Sequence, residues 1–170
     1  MIALLVCVVA GEAWAQPGAT GPVATLNAEA KGFSDTDPAR SLAAAQKALA
    51  AARAASDVRG EAEALNYVAY GHRSQSLLEP ARQAALESVR LYTLAGDDWG
   101  QSQGYNTLGL IEADDARYPE ALEYHLQALA IREQTGDKEG LAYSTTTWAT
   151  CTATCASTTG RWPATNRGSR

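Results

Sequence analysis

The chain has 170 residues, enough for one domain with a sizeable core, and its apolar fraction of 46% excludes global disorder. The largest part of that fraction is alanine, with a single Phe and a single Met, a composition of closely packed helices rather than of a sheet rich in aromatic and β-branched residues. A formal net charge of -5 excludes a nucleic-acid groove, which needs clustered Lys and Arg to meet phosphates.

The first residues form a short apolar run, Ile2 to Ala10, followed by Ala13-Trp14-Ala15, the small-x-small pattern that precedes a secretory cleavage site. The expectation is a signal peptide over 1–15, a mature chain from Gln16, and export, most simply to a bacterial periplasm. No Lys or Arg precedes the run, so one element of a signal is missing. The run is shorter than the roughly 20 apolar residues a spanning helix needs, and no later segment is long enough either; membrane tethering would require a downstream helix. Val6 stands where a lipid-attachment site has a small residue, which argues against lipidation of Cys7.

From Asp37 onward the chain repeats itself with a 40-residue period. Val68-Ala69 returns as Leu108-Gly109, Asn66 as Asn106, and Ala81 as Ala121. Three-copy columns are firmer: Ala48, Ser88 and Ala128; Leu49, Val89 and Leu129; Asp57, Asp97 and Asp137; Gly60, Gly100 and Gly140. Each Asp follows a turn (Ala55-Ser56, Gly96, Thr135-Gly136) and is placed to cap a helix with its carboxylate. Each unit therefore reads as two helices, in the third unit from Asp97 to Asp114 and from Tyr118 to Gln134. In the latter, Ala121, Leu122, Tyr124, Leu126, Ala128, Leu129 and Ile131 make a broad apolar face, and Glu123, Gln127, Arg132 and Glu133 are expected to stay wet. Small residues at Ala48, Ala69, Ala81, Gly109, Ala121 and Ala128 allow close helix approach. One hairpin cannot bury its own face, so the units must stack.

Tyr105-x2-Leu108-Gly109, Ala121, Ala128 and the run from Tyr118 to Ile131 resemble tetratricopeptide repeats. The 40-residue period and the Thr-Gly-Asp junction resemble the longer-linker variety of kinesin light chains and bacterial regulators. The segment Asp37-Pro38-Ala39-Arg40-Ser41-Leu42 with the Ala-rich helix after it resembles exported sensor regions of histidine kinases and diguanylate cyclases. The resemblance spans residues 37 to 144, within a repeat domain over 16–144. It implies an all-α fold, a right-handed superhelical stack of antiparallel helix hairpins (an α-solenoid), and a scaffold that takes a protein or peptide in its concave groove. The alternative it implies is the sensor portion of a membrane signalling protein whose catalytic domain lies elsewhere. Carried over residue by residue, Glu63, Asn66, Tyr70 and Arg73 of one unit and Gln103, Asn106, Leu110 and Asp114 of the next line that groove. Asn66 and Asn106 are the sharpest candidates, because an amide both donates to and accepts from a peptide backbone; the competing expectation is that they bond between helices.

Beyond Ser144 the composition changes: Thr dominates the segment 145–170, and none of its residues is acidic. Read from the third base of each codon, Trp148-Ala149 can encode only Gly, one full period after Gly109, and Thr145-Thr146 can encode Asn, one period after Asn106. The expectation is a frameshifted, disordered tail over 145–170 that replaces a further repeat, leaving the apolar face around Leu122, Leu126 and Leu129 uncovered and prone to self-association. A Ser/Thr-rich linker is the other account of this segment. Cys151 and Cys155 then need no function, having no partner ligands nearby.

No enzyme is expected. His72 and His125 are each alone in a helix, which suits packing better than catalysis. Asp114-Asp115 are helix neighbours that do not face one another, so they read as a solvated turn and not as a metal site. Glycines 96, 100, 136 and 140 punctuate hairpin junctions; no strand precedes them and no Gly-Lys-Ser/Thr follows, so no nucleotide or other cofactor is implied.

Overall fold

A computed structural model describes residues 21–138 together with 140, 141, 149, 152 and 153. The expected leader and the Thr-rich tail, Cys151 and Cys155 included, fall outside the described residues apart from those last three positions. Six helices follow one another: α1 (Pro22–Phe33), α2 (Pro38–Ala55), α3 (Val58–Ser74), α4 (Leu78–Ala95), α5 (Asp98–Asp114) and α6 (Tyr118–Thr135). The expected boundaries of α5 and α6 are met to within one residue. No repeat column singles out α1, which precedes the first of them, starts at Pro22 without a side-chain cap, and completes a first hairpin with α2.

The junction chemistry follows from the local sequence. Asp57, Asp97 and Asp137 each accept a hydrogen bond from the backbone N–H three residues on, that of Gly60, Gly100 and Gly140 respectively, at 2.9–3.0 Å. Caps of this kind satisfy an otherwise orphaned helix donor. The preceding helix ends in the left-handed region at Ser56, Gly96 and Gly136 (φ 55°, 65° and 70°), so only two of the three turns use glycine for its freedom. Gly100 and Gly140 are not turn residues. They lie past the cap because a side chain crosses over them: a Cβ on Gly100 would run into the Tyr92 ring, and one on Gly140 would meet the Asp137 carboxylate and Arg132.

Within each hairpin the helices pack along their length, and each second helix also packs on the first helix of the next unit. The backbones of the first helices approach one another closely, α1 with α3 and α3 with α5, whereas among the described residues those of α2, α4 and α6 do not. The stack therefore bends with its first helices on the inside. It is an α-solenoid built entirely from helices among the described residues.

The small-residue columns lie at the helix crossings. Ala48, Ala69, Ala81, Ala121 and Ala128 are fully buried, and Gly109 lies directly beneath the His125 ring, where a Cβ would come within 2.7 Å of it. Ser41 and Ser88 donate their hydroxyls to the carbonyls of Ala30 and Ala62 at 2.7 Å, tying α2 to α1 and α4 to α3.

Two expectations for α6 need correction. Arg132 is not wet but 1% exposed: it occupies the column of the buried Ala52 and Tyr92, donates to Ser102 Oγ (3.1 Å) and to the Gly140 carbonyl (2.6 Å), and lies 3.9 Å from Asp137. Nor does Leu122 await a further unit, since it is already buried. Leu126 is 43% exposed, but Leu86, its counterpart one period earlier, is 46% exposed although another unit follows it. That column faces outward by geometry, whatever comes next in the chain.

Candidate binding groove

The inner row of helices encloses a cleft of about 240 Å³. Residues of α1 and its following turn (Lys31, Ser34, Asp35), of α3 (Glu63, Asn66, Tyr67, Tyr70) and of α5 (Trp99, Gln103, Asn106, Thr107) line it, with Tyr92 reaching in from α4. Five of the eight groove residues expected from the repeat pattern thus converge: Glu63, Asn66, Tyr70, Gln103 and Asn106. The other three lie elsewhere. Arg73 and Asp114 pair across α3 and α5 at 2.6 Å, with the guanidinium also 5.5 Å from the Tyr70 ring centroid, and Leu110 is half-buried outside the cleft lining.

The convergence comes from helical spacing. Glu63, Asn66, Tyr67 and Tyr70 stand three and four residues apart and share one face of α3; Trp99, Gln103, Asn106 and Thr107 do the same on α5. The 40-residue period brings Asn66 and Asn106 onto neighbouring helices in the same cleft. Tyr67, Tyr92 and Trp99 lie outside the expected set. Tyr67 and Thr107 form the next column after the asparagines and are legible from it; Tyr92 belongs to a second helix and is not.

Hydrogen bonding in the cleft is unevenly satisfied. The Oδ1 of Asn66 is buried and has no hydrogen-bond partner. Glu63 accepts from Asn27 Nδ2 at 3.3 Å, and Asn27 also donates to the Gly60 carbonyl at 3.1 Å, so α1 is stitched to α3 behind the cleft. Burial pushes the Glu63 carboxyl above its ordinary range, more than the positive charges of Lys31 and Arg59 and the Asn27 hydrogen bond pull it down. Burial also raises the phenols of Tyr67 and Tyr92, with Glu63 adding to both, so they stay neutral.

Outside the cleft the charged groups answer one another. Glu112, 2% exposed, takes a bidentate pair from Arg82 at 2.7 and 3.2 Å and lies 3.3 Å from Arg117. Arg82 also bonds Asp115 at 2.7 Å and contacts Glu79, and Arg117 reaches Glu120 at 3.1 Å. The guanidinium of Arg82 is held well above its usual range, first by the hydrogen bond to Glu112. Asp114 and Asp115, adjacent in sequence, thus each meet a different arginine, Arg73 and Arg82. His125 is 1% exposed, and burial alone lowers its pKa to about 4, so it packs as a neutral ring. Among the described residues no three His, Cys, Asp or Glu side chains gather as a metal site, and no helix is long and apolar enough to cross a membrane.

The backbone has a solved counterpart. BtubC (BKLC) from P. vanneervenii, a kinesin light chain-like helical repeat protein, superposes with a TM-score of 0.58 at 16% identity, over 87% of this chain and 68% of that one. The chain has a TPR-like and kinesin-light-chain-like helical repeat fold. No family model matches the chain, and no curated protein does.

Proposed function

We propose that the protein is a tetratricopeptide-type scaffold, without chemistry of its own, that binds an extended segment of a protein partner along its inner helices. The observation that carries this is the cleft shared by α1, α3 and α5, in which Asn66 keeps a buried carbonyl oxygen unpartnered and Asn106 of the next inner helix lines the same space. A buried acceptor left without a donor costs about 1–3 kcal/mol, a cost recovered when a ligand N–H arrives. An extended peptide offers such N–H groups at regular intervals, and side-chain amides can read them without regard to sequence. The helical repeat fold supports an interaction role.

The test is a selection of displayed random peptides on the full chain, followed by titration of an enriched peptide against the Asn66→Ala/Asn106→Ala variant. Binding should weaken at least about 10-fold, as loss of two buried amide contacts implies. Equal affinity in the variant, with a lower melting temperature, would assign the asparagines to helix–helix bonding and remove the groove as the binding surface.

A further inference from the structure

The cleft's unmet chemistry has a sign. Two residues with acceptors, Glu63 with its carboxylate and Asn66 with its buried Oδ1, stand three residues apart on one face of α3, and both line the cleft. The Asn66 acceptor has no donor at all. Glu63 has one amide donor, Asn27, and no Lys or Arg of the described residues lies within ion-pairing distance of it. Arg59, whose charge Glu63 feels, is committed to Asp97 at 2.6 Å. Among the described residues, the charged ones lining the cleft are Lys31, Asp35 and Glu63, a net of one negative charge. Around them stand Tyr67, Tyr70, Tyr92 and Trp99. Of these, Tyr67 and Tyr92 are neutral phenols.

A half-desolvated carboxylate beside an unfilled acceptor calls for a ligand that donates and carries positive charge. Aromatic walls favour the same ligand, because ring faces attract cations and pack against the alkyl stem of a long side chain. An acidic or purely apolar segment could still offer backbone N–H groups to Asn66, but it would leave the Glu63 carboxylate unmet and bring its charge further out of water. Building on the groove reading above, we propose that the cleft is a subsite for a cationic side chain, lysine or arginine, of the bound peptide: its charged head on Glu63, its stem among Tyr67, Tyr92 and Trp99.

The experiment uses the same display selection, run in parallel on the full chain and on the Asn66→Ala/Asn106→Ala variant. Peptides enriched only on the unmodified chain should share a Lys or Arg at one position. In synthetic versions, replacing that residue by norleucine or citrulline should weaken binding about 10-fold or more, and Glu63→Gln should cause a similar loss with the cationic peptide but almost none with the norleucine one. The affinity of the cationic peptide should also fall with added salt. Glu63→Gln serves as a clean probe because it keeps the acceptor for Asn27 and removes a carboxylate whose burial is unfavourable, so its melting temperature should equal or exceed that of the parent. Enrichment of acidic or uncharged peptides, or an unchanged affinity of the cationic peptide for Glu63→Gln, overturns the cationic subsite and leaves the groove intact as a binding surface. Failure of the unmodified chain to retain any peptide better than the asparagine variant overturns the groove itself, and the subsite with it.

Discussion

The second hairpin, α3 with α4, and the third, α5 with α6, share helix lengths, turn conformations and cap geometry, yet their interiors differ. Of the buried polar or charged side chains, the second hairpin contributes only Ser88; the third contributes Ser102, Asn106, Thr107, Glu112, His125 and Arg132. The substitutions are matched across the helices. Where the second hairpin has Ala69 and Ala85, both fully buried, the third has Gly109 and His125, one residue shrinking by a methyl as its neighbour gains an imidazole. A helical repeat is thus a rule about backbone spacing, satisfied by any pair of side chains whose summed volume fits. Apolar and polar solutions differ in how they fail.

The largest expected failure is at Glu112. Glu112→Ala takes from Arg82, itself mostly buried, its bidentate partner and leaves it Asp115 and Glu79, which should cost about 3 kcal/mol in urea or thermal unfolding; removing the exposed Glu87–Arg90 pair of α4 should leave the transition almost unmoved. Next is the volume exchange. Gly109→Ala drives a methyl into the His125 ring and should cost about 2–3 kcal/mol, most of which His125→Ala should restore by recreating the Ala/Ala pair of the second hairpin. A double variant no more stable than Gly109→Ala would show that the two hairpins are not interchangeable at this crossing. An effect of similar size comes with pH. His125 takes up a proton near pH 6.5 when unfolded but only near 4 when folded, so its contribution is intact above about pH 6.5 and is lost as the pH falls toward 4, by up to about 2–3 kcal/mol. Hydrogen exchange should register this loss in α5 and α6 before α3 and α4, and His125→Gln should flatten the profile.

The same contrast marks what the sequence discloses. The period, the helix limits, the Asp caps and the alanine crossings are all readable, because each depends on a residue's own position in the column. Five of the cleft residues are readable for that reason too. What escapes depends on pairs. Arg132 reads as a surface residue until its column mates Ala52 and Tyr92 are seen to be buried, and its hydroxyl partner Ser102 lies on another helix, far away in the chain. Glu112 and Arg82 are likewise distant in sequence, with nothing local to either that announces burial. The first helix escapes because α1 carries neither the Asp cap nor the glycine that mark α3 and α5.

The inner helices touch in sequence while the outer ones stand apart. Mechanically this is a leaf spring clamped along one edge: bending that widens or narrows the mouth changes the gaps between α2, α4 and α6, whose backbones do not approach one another. Stiffness then resides in the inner row, with the Arg73–Asp114 clasp beside the cleft, so the helices that line the cleft are also those that set the curvature of the stack.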